Sequence, residues 1–273
     1  MDILLYLKAA LLGLLEGATE FLPISSTGHL IIAADLLDFT GERAKTFNIF
    51  IQLGAILAIV WHYRAKVTSV ARGVGHDPAA RRFVANLFIA FLPAAVLGLL
   101  LHSTIKAYLF NPVSVAAALV LGGFAILWIE SRQRTPRIEH VDDMRWQDAL
   151  KVGVAQSFAL FPGVSRAGAT IMGGLLSGLS RQAATEFSFF LAVPTMFAAT
   201  LYDLYKSRDL IHTEETALLL TGLVCAFFSA LVVVKAFLAF IARHDFRFFA
   251  WYRIVFGGVV LVLGLTGVVH FNS

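Results

Sequence analysis

The sequence predicts an all-α polytopic membrane protein. It reads as six transmembrane helices and two re-entrant helical hairpins in two repeats of inverted topology. Three observations carry this. The 273 residues are 58% hydrophobic and only 15% charged, with a mean hydropathy of +0.77. A soluble domain of that length needs far more polar surface. The apolar runs are long enough to cross a bilayer, where a helix satisfies its own backbone and an open strand does not. Finally, two polar stretches break the apolar sequence, EGATEFLPISSTGH from Glu16 to His29 and QSFALFPGVSRAGAT from Gln156 to Thr170. They superpose without a gap at an offset of 140 residues, with Glu16 on Gln156, Ser25 on Ser165, Ser26 on Arg166 and Gly28 on Gly168. Ionisable groups at membrane depth are costly and mark function. A duplicated polar pair points to one site built from two halves.

Taken in order, residues 3–38 form apolar helices on either side of Leu22-Pro23. Each flank is short for a crossing, and proline removes an amide donor, so the segment reads as a hairpin that enters the membrane and returns. Crossings follow at 46–63, 83–101 and 113–131. Residues 147–178 repeat the hairpin pattern around Pro162-Gly163, and crossings at 184–204, 216–238 and 248–270 complete the chain. The whole reads as one membrane domain over 1–273, with repeats at about 1–135 and about 145–273.

The repeat extends past the hairpins, because AKTFNIFIQL from Ala44 aligns with ATEFSFFLAV from Ala184 at the same offset. Each half holds a hairpin plus three crossings, and an odd number inverts the second half. Basic residues then sort onto two faces. Arg64, Lys66, Arg72, Arg81, Arg82, Arg132, Arg134, Arg137, Arg145, Lys151, Arg181, Arg243 and Arg247 share one. Lys8, Arg43, Lys45, Lys106, Lys206 and Arg208 share the other, a bias of 13 against 6. The positive-inside rule makes the first face cytoplasmic and puts both termini outside. The first hairpin then dips in from outside and the second from the cytoplasm, so their tips meet near the midplane.

The net charge of +4 gives no nucleic-acid signal, since the basic residues sit in short loops beside lipid headgroups. Cys225 is alone and reads as a small buried hydrophobe. The first apolar run lacks a basic n-region and a small-residue cleavage site, so no cleavable signal peptide is expected. The Phe content reads as lipid-facing packing.

The tips carry the chemistry. Ser25, Ser26, Thr27, Gly28 and His29 follow a proline break and open a new helix. A helix N-terminus offers free amides and a positive dipole end, which suits phosphate. Serine hydroxyls three or four residues before His29 place a nucleophile and a base one turn apart. Glu16 and Glu20 share a helix face and can orient His29, bind a divalent cation or take up a proton. The bland alternatives are a Ser-Ser-Thr helix cap and a solvated helix end. The second tip adds Arg166, which matches phosphate oxygens bidentately, with Ser165 and Thr170 as hydroxyl donors. Snorkelling to an interface is its bland alternative. Together the tips hold the parts for phosphoryl transfer.

The motifs E-x-x-x-E-F-L-P-I-S-S-T-G-H and P-G-V-S-R-A-G-A-T resemble the two signatures of the undecaprenyl-diphosphatase family, also called the bacitracin-resistance protein family. AKTFNIFIQLG, EFSFFLAVP and the WYR-containing last helix resemble it too, so the resemblance spans essentially the whole chain. It implies a bacterial inner-membrane enzyme that removes the terminal phosphate of undecaprenyl diphosphate, regenerating the lipid carrier for cell-wall synthesis and giving bacitracin resistance. It implies a nucleophilic role for Ser26, acid/base work for His29, and paired carboxylates at Glu16 and Glu20. It makes Arg166 the phosphate clamp, with Ser25, Thr27, Ser165 and Thr170 as phosphate ligands. It also implies dependence on Mg²⁺ or Ca²⁺, bound by Glu16 and Glu20 or arriving with the diphosphate. Ala167 stands where the family often has serine. The partners expected are the polyprenyl diphosphate and the membrane, and a homodimer is compatible with this reading.

Gln52, Glu186 and Arg253 are further polar residues in apolar runs. They read as partners of the site or caps of a broken helix, or else as interhelical hydrogen bonds or snorkelling. His62, Lys235 and His270 fall near helix ends and read as interfacial. A secondary transporter or lipid flippase is the rival function, because inverted repeats and broken helices also build transporters.

Overall fold

The computed structural model describes residues 3–109, 111–132, 135–206 and 215–268. The side chains of residues 42, 43, 102–104 and 106–108 are outside that description. Arg134, Arg208 and His270 lie outside the described residues, as do the side chains of Arg43 and Lys106.

The described residues form helices with no named strand. Helix α1 (Ile3–Thr19) and α2 (Ser26–Leu36) flank the first break, and α3 (Glu42–His62) follows. Next come α4 (Arg64–Gly73), α5 (Pro78–Leu109) and α6 (Pro112–Ser131). Helices α7 (Trp146–Ser157) and α8 (Arg166–Leu176) flank the second break, which holds a short 3₁₀ turn at Phe158–Leu160. Helices α9 (Arg181–Lys206), α10 (Thr216–Ile241) and α11 (Arg247–Leu265) complete the order. Six of these, α3, α5, α6, α9, α10 and α11, are long and apolar enough to cross a membrane.

Two elements differ from expectation. The segment after α3, read as a loop, contains helix α4, whose polar residues on one face make it a surface helix. Helix α5 is 32 residues long, well beyond 83–101, and runs through Pro93 without breaking. Pro194 sits inside α9 in the same way. Neighbouring helices re-satisfy backbone groups freed by an intramembrane proline, so proline alone does not end such a helix.

Helix α1 lies along α10, and α7 lies along α5, while α6 pairs with α11 and α3 with α9. The α1–α10 contact is close because Gly13 and Gly17 face it: a Cβ at Gly17 would come within 2.3 Å of the Ala226 carbonyl oxygen. Small residues let helix backbones approach where lipid supplies no hydrophobic drive. Gly17→Val is therefore expected to destabilise the bundle by about 1–3 kcal/mol through overpacking, read as a lowered melting temperature in detergent.

The centre is rich in phenylalanine. Phe21, Phe47, Phe187, Phe189 and Phe246 are almost fully buried, while Phe88, Phe124, Phe228 and Phe248 are exposed, so the lipid-facing packing expected holds for only part of the phenylalanines. Phe21 and Phe189 meet edge-on at 5.5 Å between ring centres, a favoured aromatic geometry. Short helices that stop mid-bundle leave width that large rings fill. Leu99, Leu100, Leu121, Val232 and Val255 face outward, as lipid contact requires.

At one end of the bundle, Lys66 pairs with Asp142 at 2.6 Å and Arg82 donates to the Asp142 carbonyl at 2.7 Å. The segment after α3 and the segment between α6 and α7 thus meet there. Nearby, buried Glu130 takes both Nε and Nη2 of Arg181, at 3.0 and 2.5 Å. It also accepts the Phe246 amide at the start of α11. One carboxylate joins α6, α9 and α11. Cys225 is a free thiol, partly buried.

Candidate active site

Both breaks turn on a serine in a conformation that L-residues rarely adopt. Ser25 has φ 70° and ψ 95°, and Ser165 has φ 73° and ψ 118°. These are the residues that superpose at the 140-residue offset, and they share this backbone conformation. Such strained serines persist only where their surroundings over-determine them, and they cluster at functional sites.

The helices after the breaks are finished differently. The Ser165 hydroxyl accepts the Gly168 amide at 3.0 Å and caps α8. Helix α2 has no such side-chain cap from Ser25, which leaves its first amides as donors at a positive dipole end. Between the tips lies a cavity of about 210 Å³. Glu20, Ser25, Ser26 and Thr27 line it from the first tip, and Phe161, Gly163, Ser165 and Arg166 from the second. Gln52 of α3 and Thr195 and Met196 of α9 close the remaining side.

Inside it, one carboxylate joins the two halves. The Ser26 hydroxyl donates to Glu20 Oε2 at 2.5 Å. Arg166 Nη2 donates to Glu20 Oε1 at 3.0 Å. The Arg166 plane is held by Nη1 on the Ser188 carbonyl at 3.0 Å and lies over the Phe21 ring at 5.6 Å. Its Nε is buried without a hydrogen-bond partner.

Other expected site residues lie around this centre and off the cavity wall. Thr170 donates to the Arg166 carbonyl at 2.9 Å and meets the Ser188 hydroxyl at 2.6 Å, so it braces the turn that carries the arginine. His29 points away from Ser26. Its Nδ1 lies 2.7 Å from the Ser25 carbonyl, its Nε2 lies 2.6 Å from the Tyr252 hydroxyl, and its ring stacks on Phe256 at 4.0 Å. A carbonyl only accepts, so Nδ1 carries the proton and the neutral ring's Nε2 accepts from Tyr252. The nearest base to Ser26 is Glu20, where the three-residue spacing had suggested His29. Glu16 is buried one turn before Glu20, with Oε2 unpartnered.

For a divalent cation, the observation is that unpartnered Glu16 oxygen beside a carboxylate already engaged by serine and arginine. No cluster of three or more His, Cys, Asp or Glu able to hold a metal occurs among the described residues. Two carboxylates make a partial set that fits an ion whose other ligands are water and substrate oxygens, the usual habit of Mg²⁺.

Ser188, Tyr252 and Thr195 were missed in the sequence. Ser188 falls on Asn48 in the repeat, a polar-on-polar match inside phenylalanine-rich runs, and Tyr252 lies in the WYR segment. Thr195, which donates to Gln156 Oε1 at 3.3 Å, carries no comparable signal. Of the remaining polar residues, Gln156 Nε2 reaches the Ala90 carbonyl at 3.4 Å. Glu186 accepts from Gln182 at 3.1 Å near the start of α9.

An all-helical bundle with six candidate spans is a multi-pass membrane protein, and in its interior a serine, a carboxylate and an arginine are joined. The chain belongs to the family described as Bacitracin resistance protein BacA, whose model matches residues 9–259. It is 62% identical to the undecaprenyl-diphosphatase of Aromatoleum aromaticum, over 96% of this chain and 95% of that one. It is 57% identical to the undecaprenyl-diphosphatase of Nitrosomonas eutropha over the full length of both. It is 58% identical to undecaprenyl-diphosphatase 2 of Rhodospirillum rubrum, also over the full length of both.

Proposed function

We propose that the protein is a lipid-diphosphate phosphatase that hydrolyses undecaprenyl diphosphate to undecaprenyl phosphate and phosphate, recycling the cell-wall lipid carrier and giving bacitracin resistance. The observation that carries this is the chain Ser26–Glu20–Arg166, in which one carboxylate holds the serine by one oxygen and the arginine by the other. That arrangement is a nucleophile, its base and a phosphate clamp in one cavity.

The terminal phosphate takes Arg166 Nη2 from Glu20, while the α2 amides and the Thr27 hydroxyl face its other oxygens. Freed from the guanidinium, Glu20 gains basicity and accepts the Ser26 proton as Oγ attacks phosphorus. The P–O bond to the lipid monophosphate breaks, leaving a phosphoserine and the lipid phosphate. Glu20 passes its proton to the departing lipid phosphate and is again a carboxylate; water then attacks phosphorus and gives a proton to Glu20, the Oγ–P bond breaks to release phosphate, and Glu20 returns the proton to Ser26 Oγ. Positive charge at Arg166 and the α2 terminus stabilises the equatorial oxygens throughout. His29 and Tyr252 support the Ser25 turn from behind. Glu16 and Glu20 would hold the divalent cation, which supplies charge neutralisation of the diphosphate.

The architecture we infer is two re-entrant hairpins in inverted repeats. The matched backbone at Ser25 and Ser165 supports it, as does the exchange of α1 onto α10 and α7 onto α5. We place the protein in the bacterial inner membrane with the basic end cytoplasmic, both termini periplasmic and the cavity opening to the periplasm. The same symmetry is what a lipid flippase would use. Binding alone requires no serine–carboxylate pair, which favours the phosphatase.

The test is phosphate release from undecaprenyl diphosphate by the purified protein. Release is expected, with loss on EDTA and recovery on adding Mg²⁺ or Ca²⁺. No release under any metal condition would overturn the reading.

A further inference from the structure

We propose that Arg253 is a positioning residue that holds the serine tip and the arginine tip in register through one buried guanidinium. It rises from α11, is 1% exposed, and every one of its N–H donors finds a backbone carbonyl. Nε donates to Leu119 at 3.2 Å. Nη1 donates to Pro23 at 3.1 Å and to Val164 at 2.9 Å. Nη2 donates to Ala118 at 3.1 Å and to Gly163 at 3.0 Å.

Three of those carbonyls lie in the breaks, outside any helix. In a membrane interior a break carbonyl without a donor costs free energy. Arg253 meets one from the first tip and two from the second, and the two carbonyls of α6 fix its own position. The Val164 carbonyl belongs to the peptide plane that enters strained Ser165, and the Pro23 carbonyl lies two residues before strained Ser25. Five donors in one plane are available only from arginine. A lysine has three, on a flexible stem. The charge is compensated by carbonyl dipoles rather than a carboxylate, which leaves the cavity's carboxylates to the site.

The role is distinct from that of Arg166. Arg253 does not line the cavity; it acts by fixing where Ser26 and Arg166 stand relative to each other. Displacements of about 1 Å at a reacting centre cost roughly 10²-fold in rate.

Space for the guanidinium comes from Gly122 of α6. A Cβ there would lie 2.2 Å from Arg253 Nη2 and 2.8 Å from Cζ. The adjacent Gly123 also faces α11, but its Cβ would meet the Ala250 carbonyl and Ile254, at 2.7 Å each, and not the guanidinium. Gly122→Ala therefore moves Arg253 without deleting a polar group, while Gly123→Ala loosens the same helix pair elsewhere. Alanine is itself favourable in a helix.

The proposal rests on the phosphatase reading, and the experiment separates the two. Wild type, Gly122→Ala, Gly123→Ala and Arg253→Lys are purified, and each is measured for melting temperature, kcat and KM on undecaprenyl diphosphate. Gly122→Ala is expected to lose about 10²-fold in kcat with KM within about 3-fold, the signature of misplaced reacting groups. Gly123→Ala is expected to melt lower yet keep the wild-type kcat in its folded fraction. Arg253→Lys is expected to lose kcat like Gly122→Ala, and it decides the matter should Gly122→Ala fail to fold. Active wild type with an unimpaired kcat in Gly122→Ala, or in Arg253→Lys standing in for it, overturns the inference alone. So does a kcat loss shared equally by Gly122→Ala and Gly123→Ala. Inactive wild type overturns the phosphatase reading instead.

Discussion

Replacing Ser26 with alanine is expected to lower phosphate release from undecaprenyl diphosphate by at least about 10³-fold, the scale on which removal of a nucleophile acts. The protein should still fold, because the hydroxyl makes one hydrogen bond, to Glu20, and alanine suits the first turn of α2. Arg166 remains on the other Glu20 oxygen, so substrate affinity should change little and the loss should fall on kcat. The informative companion is chemical trapping: quenched wild type should carry phosphate on Ser26 and Ser26→Ala should carry none. If Ser26→Ala instead turns over at near the wild-type rate, water is the attacking group and Glu20 its base, and the serine serves only to place the carboxylate.

Arg166→Lys carries the second large effect, a fall of roughly 10²–10³-fold in kcat, comparable to removing a preorganised donor from a developing oxyanion. The substitution keeps the charge and discards the geometry. The arginine reaches Glu20 with Nη2, the Ser188 carbonyl with Nη1 and the Phe21 ring with its plane, and an ammonium cannot reproduce that fork. It also leaves Glu20 without its planar partner before substrate arrives, so the pH dependence of kcat should change along with its magnitude. An Arg166→Lys protein with wild-type kcat would show that positive charge alone suffices and would remove the guanidinium clamp from the mechanism.

Much of the fold was legible in the sequence because hydropathy in a bilayer is a strong constraint. The six crossings and the two breaks at Leu22-Pro23 and Pro162-Gly163 follow from apolar run length and proline chemistry. The pairing of the two break serines was legible too, since similar residues at a fixed offset carry similar backbone demands: Ser25 and Ser165 do adopt the same rare conformation. Helix α4 was missed because its polar surface gives no hydropathy signal, and α5 was cut short because its first turns are charged.

The site was legible in its parts and not in its wiring. The spacing of Ser26 and His29 suggests a serine–histidine pair, but spacing fixes only which residues share a helix face, not how a side chain turns. His29 is taken up by the Ser25 carbonyl and by Tyr252, more than 200 residues away. Thr170, placed by motif among the phosphate ligands, spends its hydroxyl on Arg166's own turn and on Ser188.

By itself, the sequence determined the membrane class, the two broken segments and the residue types that meet there, because each follows from local composition, proline placement and repetition along the chain. Only the tertiary structure decided that Glu20 is the carboxylate joining Ser26 to Arg166, and that Arg253 ties both breaks to α6. Those contacts span 146 and 230 residues. They depend on how helices from opposite halves pack, and a hydrogen bond is set by ångströms and angles that no spacing in a sequence encodes.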